Sequence, residues 1–235
     1  MISAVRHEVK LLLKNADRMH ETDHIDRVVE LSRKFMNGMH QADPAVVQLI
    51  ALLHSVDDHD MNGLDTDNDL PCARYALDRS DVSDLRKKKV LDGIREIGFR
   101  RRLQGIRPST DEAGIVSDAD MCDGMGLGAI VRMVQYGKAT GRPFFRKDRF
   151  PRKMITYGQY MNEQPETTIN SIFEEIFRMK DMMMTEPGRL EAAERCYNIT
   201  KYLESFFKEN DTPEWNRFLT ENPGATGEPL MFMAL

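Results

Sequence analysis

At 235 residues, with 41% hydrophobic and 30% charged side chains, the chain can bury a substantial core and lacks the apolar-poor make-up of a disordered segment. A net charge of −5 and a pI near 5.7 argue against a nucleic acid polymer as the main partner, because that affinity rests on many clustered cations. Cys72, Cys122 and Cys196 are widely spaced and form no CxxC pair, so neither a disulfide framework nor a zinc ribbon is indicated, and a reducing compartment is expected.

The first segment, Ile2 to about Met19, carries Val5, Val9, Leu12, Leu13 and Ala16 on one stripe and predicts an amphipathic helix. Its admixture of Arg6, His7, Glu8 and Lys10 interrupts any secretory h-region. A second helix is predicted from near Asp23, with His24, Val28, Leu31 and Phe35 on its buried stripe and Asn37-Gly38 as a stop. Asp43-Pro44 marks the start of a third, an N-cap followed by the proline favoured in the first turn, which runs through Val47, Ile50 and Ala51 to an inward-facing His54.

Asp58 to Pro71 has no apolar period and reads as a loop. Helices are predicted at about Cys72 to Asp78 and Val82 to Ile97, followed by a basic stretch from Phe99 to Arg107. Ile115 to Val134 reads as a buried segment interrupted by Gly124, Gly126 and Gly128, and Gly137 to Arg152 as a long polar loop. Two further helices, about Thr167 to Met184 and Gly188 to Phe207, are expected to pair as a hairpin. The reading is a single all-α helical bundle over residues 1–210 and an irregular tail over 211–235 that holds Trp215. The longest nearly apolar stretch, Ala45 to Leu53, falls short of the roughly 20 residues that span a bilayer, so a soluble, cytoplasmic protein without membrane contact is expected.

His24 and His54 on successive helices, followed by Asp118-Ala119-Asp120-Met121-Cys122-Asp123, form a donor set suited to a divalent metal. Taken singly, each histidine is more often a satisfied core residue and the acidic cluster more often a cap or a solvated face. Phe99-Arg100-Arg101-Arg102 and Lys87-Lys88-Lys89 could receive an anion but read better as solvated helix faces, and the 16 methionines suggest an adaptable core or a homo-oligomer contact. No P-loop, dinucleotide fingerprint, Gly-x-Ser-x-Gly or His-Glu-x-x-His pattern occurs.

His24 within Asp-His-Ile-Asp-Arg-Val, then Leu-Leu-His54, then Asp-Ala-Asp120, in that order, resemble the successive motifs of HD-domain metal-dependent phosphohydrolases. The resemblance extends to Gly141-Arg142-Pro143-Phe144 and to Met184-Thr185-Glu186-Pro187-Gly188-Arg189, similar to small bacterial stand-alone HD hydrolases, and covers roughly residues 20 to 208. It implies a helical HD-type bundle in which His24, His54 and Asp120 hold a divalent ion, whether Mn, Mg, Ni, Fe or Zn, for hydrolysis of a small phosphate ester or a nucleotide. Ser55 stands where the family pattern has the second motif's Asp, and the histidine and lysine expected near Ser171 and Glu175 are absent, as is a histidine in Ile94 to Phe99.

Loss of that carboxylate weakens the expected site. Asp57 and Asp58, three and four residues after His54, could replace it if the helix continued. Asp57, Asp58 or Asp123 could hold the attacking water as a base, and Arg27 and Arg142 could clamp phosphate, although ordinary ion pairs explain both arginines equally well. The alternative to a hydrolase is a catalytically silent HD fold used for ligand binding or regulation, so enzyme activity is an open expectation at this point.

Overall fold

The structure, a computed structural model, describes residues 1–15, 21–37, 39, 41–57, 69–153, 155–222 and 224–225; the helical regions and the links between them contain no β-strand among the described residues. The all-α reading therefore stands as the fold class. The chain forms two compact units, Met1–Asp123 and Gly124–Leu235, where the sequence reading had one domain over residues 1–210.

The first unit contains α1 (Ile2–Asn15), α2 (Glu21–Phe35), α3 (Pro44–Leu53), α4 (Pro71–Asp78), α5 (Asp84–Ile94), α6 (Phe99–Leu103) and α7 (Asp111–Asp123). Local signals account for most of these. Asp43 accepts a hydrogen bond from the Ala45 backbone N–H at 2.9 Å with Pro44 in the first turn, so α3 starts where the cap chemistry requires. α3 is almost wholly buried from Val46 to Leu53, and it packs against α1, α2, α5 and α7 as the central helix of this unit. Gly93 lets α5 approach it closely: a Cβ there would sit 2.7 Å from Ile50 Cδ1.

The basic stretch after Ile94 holds the short helix α6, opened by Gly98 at φ +91°. Arg102 is half-buried; loss of solvent pushes its guanidinium down, opposed by the charge of the wholly buried Asp118. Lys87 pairs with Asp78 at 2.7 Å and Lys88 with Asp92 at 2.6 Å, so these cations are engaged by carboxylates on the surface of the unit.

The second unit contains α8 (Leu127–Thr140), α9 (Tyr157–Asn162), α10 (Thr168–Ser171), a π-helical turn (Ile172–Ile176), α11 (Phe177–Met179), a 3₁₀ turn (Lys180–Met182), α12 (Glu186–Glu209) and α13 (Pro213–Thr220). The segment from Ile115 to Val134, expected to be interrupted by Gly124, Gly126 and Gly128, is split between α7 and α8, with Gly126 at φ +89° opening α8. α8 continues to Thr140, so the polar loop begins later than the sequence suggested. α9 was missed although Thr156 and Gln159 form a full capping box. The helix expected from Thr167 to Met184 is broken by its π and 3₁₀ turns.

The stretch read as an irregular tail carries α13, because Pro213 starts a helix whose Trp215 is buried in an aromatic cluster. Trp215 stacks on Phe150 with ring centres 4.5 Å apart, meets Phe145 edge-on at 5.0 Å, and donates from its indole N–H to the Lys147 carbonyl at 3.0 Å. Residues 226–235 of that stretch lie outside the described residues. No helix of the described residues is long and apolar enough to cross a membrane.

In the π-helical turn, buried Glu174 is satisfied by Arg152 through Nε at 2.9 Å, Nη2 at 2.5 Å and the backbone N–H at 2.9 Å. Its neighbour Glu175 has no such clamp. Burial pushes the Glu175 carboxyl up to about 7 against the charge of Arg142, and the Glu174 charge adds to the rise. A carboxyl raised on folding favours the folded state while protonated, so this group costs stability as pH rises from about 4.5 to about 7. Glu175→Gln is expected to match the wild-type melting temperature near pH 4.5 and to exceed it by several degrees at pH 8, corresponding to about 2–3 kcal/mol. A melting-temperature series against pH checks this; equal curves at pH 8 would refute it.

Candidate metal centre

α2, α3 and α7 each contribute one side chain to a cluster within the first unit. His24 projects from the first turns of α2, His54 caps the C-terminus of α3, and Asp120 lies near the end of α7. Their facing atoms converge: His24 Nε2 to His54 Nε2 is 2.9 Å, His24 Nε2 to Asp120 Oδ1 is 3.5 Å, and His54 Nε2 to Asp120 Oδ1 is 3.6 Å. Among the described residues, His24, His54 and Asp120 form the group of His, Cys, Asp or Glu arranged to hold an ion.

The other nitrogens of the rings set the tautomers. His24 Nδ1 lies 2.8 Å from Asp123 Oδ2, and His54 Nδ1 lies 2.9 Å from the Ala51 carbonyl, so each Nδ1–H donates to an acceptor. In neutral imidazoles this arrangement turns both Nε2 lone pairs toward one another and toward a carboxylate oxygen. Three acceptors then face one small space. A proton on one ring satisfies one contact at a time, whereas a cation satisfies all three.

The spacing suits an ion as well. A point equidistant from the three atoms lies about 2 Å from each, the length of a transition-metal bond to nitrogen or oxygen. The donor set of two imidazoles and one carboxylate is also the chemistry of a borderline divalent metal. The residues present therefore fit the group. Burial pushes the Asp120 carboxyl up, but the hydrogen bond and charge of His54 together with the His24 charge outweigh it, and the net direction is below the usual range.

Asp123, considered from the sequence as a base, is buried behind this cluster. Arg27, considered as a phosphate clamp, holds it with two hydrogen bonds, Nε to Oδ1 at 2.6 Å and Nη2 to Oδ2 at 3.0 Å. Arg27 and Asp123 thus orient and charge-balance His24. A signal for this was present: Arg27 follows His24, and Asp123 follows Asp120, by three residues on one helical face.

Asp57 is not available to replace the missing carboxylate. The chain leaves the helix at His54, so the expected shared face does not form, and both Asp57 oxygens accept from backbone N–H groups at the start of α4, Cys72 at 2.8 Å and Ala73 at 2.9 Å. Pairing of these amides with Asp57 anchors α4 to the end of α3. Asp57→Ala is expected to lower unfolding free energy by about 2 kcal/mol while leaving metal content intact, read by urea denaturation and elemental analysis. Asp58 lies outside the described residues. Ser55 is buried next to His54.

Arg142 belongs to the second unit, where its Nη1 donates to Ser171 Oγ at 3.0 Å and its guanidinium lies over the Tyr136 ring, 5.2 Å from the ring centre. Gly137 makes room for this: a Cβ there would stand 2.9 Å from Thr168 Oγ1 and 3.0 Å from the Arg142 carbonyl.

No family model matches the chain. It is 26% identical over 215 residues to the uncharacterized protein YpgQ of Bacillus subtilis, covering 87% of this chain and 91% of that one. Among solved structures it resembles an HD-superfamily hydrolase from Bacillus thuringiensis, with TM-score 0.70, 24% identity and coverage of 89% of this chain and 96% of that one. It also resembles Bacillus subtilis YpgQ in complex with ADP, with TM-score 0.63, 21% identity and coverage of 88% and 94%. The helical framework that carries His24, His54 and Asp120 is shared with those structures along nearly their whole length, and the chain has the fold of the HD superfamily.

Proposed function

We propose that the protein is a divalent-metal-dependent phosphohydrolase acting on a small phosphate ester or a nucleotide, with His24, His54 and Asp120 as the protein's ligands to the ion. The observation that carries this reading is the convergence of three acceptor atoms within 3.6 Å, with both imidazole tautomers fixed from behind by Asp123 and Ala51. Such a bound ion lowers the pKa of a coordinated water and offsets charge that builds on phosphoryl oxygens.

The chain's own residues divide the remaining work. His24 and His54 present unprotonated nitrogen, Asp120 supplies the anionic oxygen, and Asp123 with Arg27 holds the His24 ring in place. The ADP complex of YpgQ supports a nucleotide as the ligand class. A silent ligand-binding protein is favoured by a separate observation: Asp57 is committed to α4, and Ser55 stands where the family resemblance implies a carboxylate.

Turnover separates the two. Incubation with phosphomonoesters and nucleotides in the presence of Mn²⁺, Mg²⁺ or Ni²⁺ is expected to release product at a rate that His54→Ala lowers by at least a hundredfold. Nucleotide binding without turnover under every metal would establish the silent reading instead.

A further inference from the structure

The net charge of −5 is unevenly distributed: residues 142–153 hold six Lys or Arg and one Asp, interleaved with Phe144, Phe145 and Phe150. We infer that this stretch of the second unit is a surface site for single-stranded nucleic acid, with Phe150 as a stacking platform and the exposed cations around it as phosphate partners. The inference is independent of the metal reading above.

The stretch lies between α8 and α9 without regular structure of its own, yet it is fixed along its length. At its start the Thr168 and Ile169 backbone N–H groups donate to the Pro143 and Phe144 carbonyls, each at 3.0 Å. In its middle the Trp215 indole N–H holds the Lys147 carbonyl, and near its end Arg152 clamps the buried Glu174. A segment anchored in this way loses little freedom when a ligand binds.

Phe150 is 46% exposed, and its ring lies 12° from parallel to Trp215 at 4.5 Å, with Phe218 edge-on at 5.5 Å. A base stacks on such a fixed aromatic ring whatever its identity. A side chain that enters a bilayer must project as a wedge, whereas Phe150 lies flat on Trp215, so an anionic membrane fits this surface less well.

The cations beside the ring are loosely held. Arg146 and Arg149 have side chains 52% and 49% exposed, and Lys147 and Lys153 are exposed. Arg146 and Arg149 draw on the same Asp148 at 3.4 and 3.5 Å, Arg149 also reaches Glu166 at 3.4 Å, and Lys147 donates to the Asn210 carbonyl at 2.7 Å. Exposed pairs of this length contribute little, and a guanidinium meets phosphate with two parallel hydrogen bonds, so exchange favours the phosphate. A strand carries phosphate on both sides of each base, and cations stand on both sides of Phe150 in the chain.

The full chain, without added metal, is titrated into fluorescein-labelled oligothymidylate of about fifteen nucleotides and read by anisotropy, while unlabelled strand is titrated against the emission of Trp215, the single tryptophan. Saturable binding with altered Trp215 emission is expected, and affinity should fall about twenty- to fiftyfold between about 50 and 200 mM salt, as three or four phosphate contacts to a single strand require. The double variant Arg146→Gln with Arg149→Gln, which leaves the core untouched, should bind at least about tenfold more weakly with a flatter salt dependence. Phe150→Leu should lose about tenfold with the salt dependence retained. Circular dichroism melts check that both variants fold. Absence of binding at low salt, or a double-arginine variant that binds like the wild type, would overturn the inference. So would equal affinity for a duplex of the same length, displacement of the strand by thymidine monophosphate at equal nucleotide concentration, or binding to phosphatidylserine vesicles without binding to the strand.

Discussion

Removal of the His54 imidazole is expected to abolish stoichiometric metal binding. In His54→Ala, the metal content after purification without chelator should fall to less than one-tenth of the wild-type value, as measured by elemental analysis. The physical reason is that the ring closes the triangle: His54 Nε2 lies 2.9 Å from His24 Nε2 and 3.6 Å from Asp120 Oδ1, and two remaining donors make a weak site. The same variant should lose the rise in melting temperature that added Mn²⁺ or Ni²⁺ gives the wild type, because that rise requires preferential binding to the folded state. Because the His54 side chain is buried, the deletion also leaves a cavity, so the metal-free variant should melt a few degrees lower. Retention of one ion per chain in His54→Ala would overturn the assignment of the cluster.

The Arg27 to Asp123 pair supplies the second large effect. Asp123 is 5% exposed in its side chain, and Arg27, though 42% exposed, meets it through two hydrogen bonds. Arg27→Met keeps the apolar stem of the side chain but deprives a buried carboxylate of its guanidinium. A fully buried pair loses about 3–5 kcal/mol on such a change, and the exposure of Arg27 places this one near 3 kcal/mol.

Asp123→Asn separates charge from orientation. It removes the anion but keeps an acceptor for His24 Nδ1, and metal affinity is expected to fall by about ten- to a hundredfold with a smaller loss of stability than in Arg27→Met. Denaturant melts in chelator and equilibrium metal titrations check both. Unchanged metal affinity in Asp123→Asn would show that Asp123 serves packing alone.

Several parts of this architecture were legible in the residues. The stripe of α2 placed His24 inward and the Asp43-Pro44 cap placed the start of α3, because both depend on interactions within a turn or two of helix. Asp120 stood out by its motif. The order of His24, His54 and Asp120 carried the family resemblance, and the structural likeness to HD-superfamily proteins agrees with it.

Other parts depended on partners far along the chain. Asp57 looked like a metal ligand from its spacing to His54, yet the helix ends at His54 and the carboxylate meets amides 15 and 16 residues away. Asp123 looked like a base until Arg27, 96 residues distant, was seen to hold it. Trp215 looked like part of a tail because its aromatic partners, Phe145 and Phe150, come from a separate stretch of chain.

The sequence by itself determined that the fold is all-helical, where α2 and α3 lie, and which imidazoles and carboxylates their apolar faces and the following acidic motif carry, since backbone hydrogen bonds, caps and periodicity are short-range. Only the tertiary structure decided which carboxylate faces the histidines, which one supports a histidine from behind and which one caps a helix. A carboxylate has the same chemistry in all three places, and its role is set by the donor that packing brings to it.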